Sequence, residues 1–349
     1  MKTVLFCGRE SSYVFAHIQP LFQSQFNIIS VVLPTLRKWH ALLEKVSGKK
    51  ASPYDLFKKR IKATLKKGVS RSLMAKHPKI YAKTVNTETI LKKQKVPYWS
   101  TDDVNSKDLM SRLKSIEPDL FLCVGYPQIF SRELLAIPAK GAVNIHPSLL
   151  PKFRGPSPFF WIIAQGEAES GVTAHFMTQH IDAGDIIAQI KFPIPDFTHE
   201  ALVRRCVEET PTLIRQIWSF FSEGKQKPQK QDDSKASYFR LDRESDHRLH
   251  WNKQRVEHIY NLTRTGKAFC FYGAKKVMLT DCSISDKRQA VIPGPQVEAG
   301  TVVNISEDSL EVKALDGSIN VHQVVYKNRR MRPQKIAKRL NIRIGKKFS

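Results

Sequence analysis

The run Ala142-Val143-Asn144-Ile145-His146 is apolar except for a carboxamide and an imidazole two positions apart. Residues i and i+2 of an extended strand point to the same face, so Asn144 and His146 would stand side by side. An imidazole exchanges protons near neutral pH, and a carboxamide offers two N–H donors. Together they suit a reaction in which an oxygen gathers negative charge while a proton is moved. The plainer reading is a pair of core polar residues satisfied by their neighbours. Ligands of open α/β sheets gather beyond the carboxyl ends of the strands, where these two side chains would be presented.

Such a placement needs a parallel sheet, and the amino-terminal pattern predicts one. Thr3 to Cys7 reads as a buried strand ended by Gly8, and Asn27 to Leu33 as a second ended by Pro34. Between them Phe15, Ile18, Leu21 and Phe22 recur at helical spacing, giving β-α-β with a right-handed crossover. Lys107 to Ile116 reads as a helix, and residues 119–124 as another buried strand before Gly125. Residues 201–221 carry Leu202, Val203, Val207, Leu213, Ile217, Trp218 and Phe221 as one face of a long helix. Gly224, Lys225, Lys227, Pro228 and Lys230 then mark a polar linker. Past Trp251 come a helix (Arg255 to Arg264) and short alternating runs at 269–272, 276–279, 300–304, 309–314 and 319–325. Gly273, Pro293-Gly294-Pro295 and Asp316-Gly317 separate them. The expected architecture is α/β: a Rossmann-like open, mostly parallel sheet over residues 1–221 and a linker over 222–245. A smaller OB-like β-barrel follows over 246–330, with a basic tail over 331–349.

Composition narrows the function classes. With 349 residues and 41% hydrophobic content the chain can bury a core in two domains. No apolar run reaches the length of a membrane helix, and Met1 to Gly8 turns polar too soon for a signal peptide, so a cytoplasmic protein is expected. Cys7, Cys123, Cys206, Cys270 and Cys282 are scattered, which predicts reduced thiols and neither disulfides nor a zinc knuckle. His146, His175 and His180 have no standard zinc spacing, so no metal is expected. Gly8-Arg9-Glu10-Ser11-Ser12 is not the glycine fingerprint of a nicotinamide enzyme, and no P-loop is present. Net charge is +25, and its excess lies in two segments: 18 Lys and Arg against 3 acids over 37–95, and 10 against none over 327–347. Both could hold a polyanion, or serve only as solvated faces. Oligomeric state is left open.

The segment Asn144-Ile145-His146-Pro147-Ser148-Leu149-Leu150-Pro151-Lys152-Phe153-Arg154-Gly155 resembles the signature of the folate-dependent formyltransferases. Gly171-Val172-Thr173 and Ile181-Asp182-Ala183-Gly184-Asp185-Ile186-Ile187 resemble the second half of that family's catalytic region at the usual separation. Tyr238, His250-Trp251-Asn252 and the linker from Gly224 to Gln231 resemble the connection and carboxyl domain of methionyl-tRNA and amino-sugar formyltransferases. Residues 1–33 and about 107–320 are covered by the likeness, and the basic insert 37–95 is not.

The resemblance implies an N-formyltransferase that takes its formyl group from 10-formyltetrahydrofolate, with Asn144, His146 and Asp182 as catalytic residues. Ser148, Leu149, Leu150 and Pro151 would form the folate-contacting loop, helped by backbone between Cys123 and Ile129. N–H groups of Asn144 and His146 would stabilise the oxygen, and Asp182 would orient the imidazole and relay the amine proton. Asp185 is expected to be structural. For the acceptor, methionyl-tRNA fits the basic segments 37–95 and 327–347. A nucleotide-linked amino sugar fits Thr173-Ala174-His175-Phe176-Met177 and Phe159-Phe160-Trp161. A non-catalytic RNA-binding protein on the same fold is a remote third reading, which the intact triad argues against.

Overall fold

Strand β1 (Lys2–Cys7) has five of its six residues buried, which requires cover on both sides, as the inner strands of a parallel α/β sheet have. A computed structural model, describing residues 1–8, 18, 20–35, 87–285 and 297–349, shows that cover. The chain resolves into two compact units. The first comprises Met1–Pro158, Ser170–Phe192 and Val203–Leu241; the second comprises Phe159–Glu169, Pro193–Leu202 and Asp242–Ser349. Neither is a continuous stretch of sequence.

In the first unit β1 lies between β2 (Asn27–Pro34) and β4 (Leu120–Val124), parallel to both. Beyond β2 comes β3 (Tyr98–Thr101), and beyond β4 comes β5 (Ala142–His146), each again parallel to its neighbour. Next to β5 runs β6 (Glu169–Phe176), antiparallel, and β7 (Ile186–Pro193) completes the order β3-β2-β1-β4-β5-β6-β7. Helix α1 (Thr87–Lys93) precedes β3. Helix α2 (Lys107–Ser115) starts where the Ser106 hydroxyl accepts the N–H of Leu109, and it buries Leu109 and Leu113. Ile18 and Leu21 are buried as their spacing predicts, whereas Phe15 lies outside the described residues, as does most of the basic insert. Phe6 meets Phe121, Phe130 and Tyr126 edge-on at ring separations of 4.9, 4.8 and 5.7 Å. That cluster braces the turn after β4, the short helix α3 (Arg132–Leu135) and hence the approach to β5.

Two helices follow β5 and β7: α4 (Pro158–Gln165) and α5 (His199–Glu223). Leu202, Leu213 and Ile217 of the predicted face of α5 are buried, joined by Cys206 and Ile214, whereas Val203, Val207, Trp218 and Phe221 are only partly buried.

The second unit holds an antiparallel sheet of β8 (Phe269–Tyr272), β9 (Lys275–Ile284), β10 (Val302–Ile305), β11 (Leu310–Lys313), β12 (Ser318–Tyr326) and β13 (Arg329–Met331). Their order is β10-β11-β12-β9-β8, with β13 on β12, an antiparallel half-barrel consistent with the expected OB-like domain. A two-residue turn at Gly273, with φ +56°, joins β8 to β9. Helix α6 (Val256–Arg264) buries Val256, Ile259 and Leu262.

Residues 331–349, expected as a basic tail, are instead part of this unit's core. Helix α7 (Pro333–Leu340) buries Ile336, Ala337 and Leu340 and turns its Lys and Arg outward. Phe348 is buried, its ring 5.3 Å from Tyr272 and 6.4 Å from Trp251. The N–H and C=O of Ser349 pair with those of Phe271 at 2.8 and 2.7 Å. Seven positive charges mask an amphipathic repeat that supplies the sheet with apolar cover. Phe348→Ala should therefore destabilise the protein by about 3–5 kcal/mol, measured by chemical denaturation, where a free tail would give no change.

Candidate active site

Strands β5 and β6 pair so that Asn144 lies opposite His175 and His146 opposite Thr173. Directly opposed residues of an antiparallel pair share a face, so two strands bring four polar side chains together. His146, Thr173 and His175 are buried and must find partners inside the protein. Thr173 finds its partners in Ser148 and Gln189, and Asp182 stands against the two histidines, reaching the face from the turn between β6 and β7 with its backbone at φ +53°, a conformation Asp tolerates better than most residues. Its Oδ2 lies 3.5 Å from His146 Nδ1, and its Oδ1 lies 3.5 Å from His175 Nε2. Asn144 Nδ2 donates to Oδ1 at 3.3 Å, and the Gly155 N–H donates to Oδ2 at 2.9 Å. Three side chains named from separated parts of the sequence thus meet at one carboxylate.

The protons in this cluster follow from the backbone groups around it. His146 Nε2 lies 2.8 Å from the Phe153 carbonyl, which can only accept, so Nε2 carries the hydrogen and Nδ1 presents its lone pair toward Asp182. His175 Nδ1 donates to the Phe176 carbonyl at 2.8 Å, leaving Nε2 to accept the second N–H of Asn144 at 3.2 Å. Burial lowers the His146 pKa below its ordinary value, which favours the neutral ring; the Asp182 charge and the Phe153 carbonyl only partly offset this. For Asp182 burial favours the protonated form, but the two histidine rings and the Gly155 N–H outweigh it and hold the carboxyl well below the usual carboxylate range. Burial pushes the nearby Cys123 thiol up to about 12, against a weaker lowering by the Tyr126 backbone, and the Asp182 charge pushes the same way. Cys123 is therefore no nucleophile.

One expected role is revised by these bonds. The N–H of His146, expected to serve a reacting oxygen, is committed to Phe153. What His146 offers is the lone pair at Nδ1, next to a charged carboxylate.

The loop at 148–151 is mostly turned inward. Ser148 Oγ donates to the Lys152 carbonyl at 2.8 Å, and its own carbonyl accepts from Thr173 Oγ1 at 2.6 Å. The Leu150 carbonyl accepts from Gln189 Nε2 at 3.0 Å, and the Leu150 side chain is buried. Leu149 packs over Gly171, where an added Cβ would fall 2.3 Å from it. Leu149 and Pro151 keep partial exposure. The turn after β4 is more open, with Gly125 exposed at φ +57° and Ile129 63% exposed. Asp185 acts through its backbone, its carbonyl accepting the Phe176 N–H at 2.9 Å.

Several contributors escaped the sequence reading. His175 enters the sequence reading only as part of the sugar-type run and as a histidine without zinc spacing, although its alternation with Thr173 could have indicated the face shared with Asn144 and His146. Phe153 and Gly155 act through backbone atoms, which residue type does not reveal. Residues 229–239, read largely as linker, lie along the loops that hold the cluster. The N–H and C=O of Gln229 pair with those of Ile186 at 2.7 Å, and Ser237 Oγ accepts the Phe153 N–H at 2.9 Å. The Phe239 ring stacks on Phe153 at 5.1 Å, and the Phe239 carbonyl comes so close to Gly155 that an added Cβ would lie 2.1 Å from it.

The sequence matches the formyl transferase family over residues 47–217, which takes in most of the basic insert that the likeness was expected to skip, and the formyl transferase C-terminal domain over residues 243–341. It is similar to a methionyl-tRNA formyltransferase of Clostridium acetobutylicum, with 31% identity over 231 residues, 64% of this chain and 71% of that protein. A methionyl-tRNA formyltransferase of Moorella thermoacetica is 30% identical over 251 residues, 68% of this chain and 76% of that protein. Among solved structures, the fold resembles an N-formyltransferase from Helicobacter canadensis in complex with folinic acid and dTDP-3-aminofucose. Its TM-score is 0.58 at 16% identity, covering 92% of this chain and 99% of that one.

Because the folded protein holds Asp182 ionised more strongly than the unfolded chain does, its stabilising contribution is full above about pH 4 and is lost as pH falls below that. Asp182→Asn, which suits the same backbone conformation, should lower stability by about 1.5–3 kcal/mol at pH 7. The gap between variant and wild type in denaturation experiments should close in acid.

Proposed function

The chain belongs to the formyl transferase family, and on that premise we propose that it moves the formyl group of 10-formyltetrahydrofolate onto the amino group of methionyl-tRNA. The observation that carries this reading is His146 Nδ1 standing 3.5 Å from the Asp182 carboxylate while Nε2 is held by the Phe153 carbonyl. An amine attacking a formyl carbon becomes an ammonium and must lose a proton. His146 Nδ1 takes that proton, and the imidazolium so formed gains a charge-assisted partner in Asp182; as the tetrahedral centre collapses, the bond from the formyl carbon to N10 of the folate breaks and the proton passes on to N10, releasing tetrahydrofolate. The lone pair that faces a carboxylate in the resting site becomes a donor to it. Asn144 turns one of its two long N–H bonds, 3.2 and 3.3 Å, toward the oxygen that gathers negative charge.

10-Formyltetrahydrofolate supplies the activated formyl group. The open turn from Gly125 to Ile129, with the partly exposed Leu149 and Pro151, would hold the pterin; Ser148 and Leu150 support that loop from inside. The donor set suits such a co-substrate, being a carboxamide and a neutral imidazole with no thiolate to compete for the formyl group.

Methionyl-tRNA is favoured as acceptor by the likeness to methionyl-tRNA formyltransferases and by the basic segments 37–95 and 327–347, which suit phosphates. A nucleotide-linked amino sugar is the second reading, and the observation favouring it is His175, which the sequence shares with the sugar-type pattern and which lies against Asn144. The cytosol suits the enzyme: the five cysteines are free, and among the described residues no helix is long and apolar enough to cross a membrane.

Incubation with 10-formyltetrahydrofolate and either methionyl-tRNA or dTDP- and UDP-linked amino sugars tests the acceptor. Formylated tRNA, with a yield that falls steeply as salt rises, is expected; product from the sugar alone moves the assignment to that substrate, and no product with either supports the RNA-binding reading. His146→Ala should lower turnover about 10²–10⁴-fold while thermal unfolding shows an intact fold. Since the reaction uses the neutral ring, turnover should hold near pH 7 and decline only at pH values below about 6.5.

A further inference from the structure

Gln231 is buried and comes from the connecting segment, yet all of its side-chain bonds run to the loops of the cluster. Its Nε2 donates to the carbonyl of Asp182 at 2.9 Å and to the carbonyl of Gly184 at 2.7 Å. Its Oε1 accepts two bonds from Arg154, from Nε at 3.1 Å and Nη2 at 2.8 Å. Arg154 is held in turn by Asp233, 2.8 Å from Nη2. Only a carboxamide offers two donors and an acceptor in one plane. The guanidinium fixes which way the amide faces, so the NH₂ must point at the two carbonyls.

Those carbonyls belong to a turn that cannot settle by itself. Asp182 is at positive φ, and Gly184 is pressed so close to β6 that an added Cβ would lie 1.9 Å from the Phe176 carbonyl. Arg154 also stands next to Gly155, whose N–H holds the Asp182 carboxylate. One amide therefore joins the backbone of Asp182 to the loop that supplies its hydrogen-bond donor.

We propose that Gln231 is a positioning residue of the formyl-transfer site: clamped by Arg154, it fixes the Asp182 turn so that the carboxylate stands against His146 Nδ1. The inference rests on the function proposed above, and it makes the segment joining the two matched regions a working part of the site. Without the clamp the turn keeps its place in the chain, but the carboxylate loses its bearing on the imidazole, and proton removal from the amine slows while acceptor binding is spared.

The test uses Gln231→Met, which removes every bond at similar length, and Gln231→Glu, which keeps an acceptor for Arg154 but cannot donate to the two carbonyls. Both should lower kcat about 10–100-fold, with little change in KM for the acceptor. NMR titration of the His146 ring should move to lower pH in both. The Asp182 charge raises that midpoint against burial, whereas His175, the other titratable group facing the ring, lowers it. Unchanged kcat, a loss confined to KM, an unmoved titration, or failure of both variants to fold would overturn the inference. Should the wild type formylate no acceptor, the functional reading fails, and the titration alone still decides whether Gln231 sets Asp182 against His146.

Discussion

Keeping a carboxylate ionised with little access to water is the constraint around which the first unit is arranged. An isolated buried charge would protonate or pull in water, so Asp182 is given donors: the Gly155 N–H and the Asn144 amide donate to it, and His175 steadies Asn144. His146 Nδ1, 3.5 Å away, can add a further donor only when the ring takes up a proton. Three local features follow from that constraint: the positive φ at residue 182, the glycine at 155 where the Phe239 carbonyl leaves no room for a side chain, and the pairing that sets His175 opposite Asn144. Remove the charge and each becomes a cost without a purpose.

The same arrangement gives the two histidines different tasks from nearly the same environment. Both rings donate one N–H to a backbone carbonyl, but His146 uses Nε2 and His175 uses Nδ1. The first therefore keeps a basic nitrogen beside Asp182, while the second spends its own on Asn144. A carbonyl at 153 and a carbonyl at 176 decide which imidazole can take a proton and which steadies the amide.

Much of this was legible in the sequence, and the failures share a physical cause. Strands β5 and β8 have the predicted ends, because each is a short apolar run between clear breakers. Asn144 and His146 declared themselves as polar intrusions in such a run. Strand β3, only four residues with none buried, gives no hydrophobic signal. Residues 331–349 read as a tail because charge outweighed a sparse apolar repeat. Phe153 and Gly155 contribute main-chain atoms, and Gln231 works from a stretch whose composition is that of a spacer. Composition and periodicity report what a side chain avoids, namely water; they are silent about a carbonyl placed to fix a tautomer.

The two compact units are interleaved along the chain, and this limits how such a protein can be rearranged in evolution. Phe160 and Ala164 sit in the same core as Val321, Val324 and Leu340, although they are encoded between two stretches of the other unit. No single crossover in the coding sequence can exchange one unit for a foreign module without tearing that core. Lineages can therefore inherit the pair or lose it, and diversification is channelled into loops in preference to the swapping of whole modules.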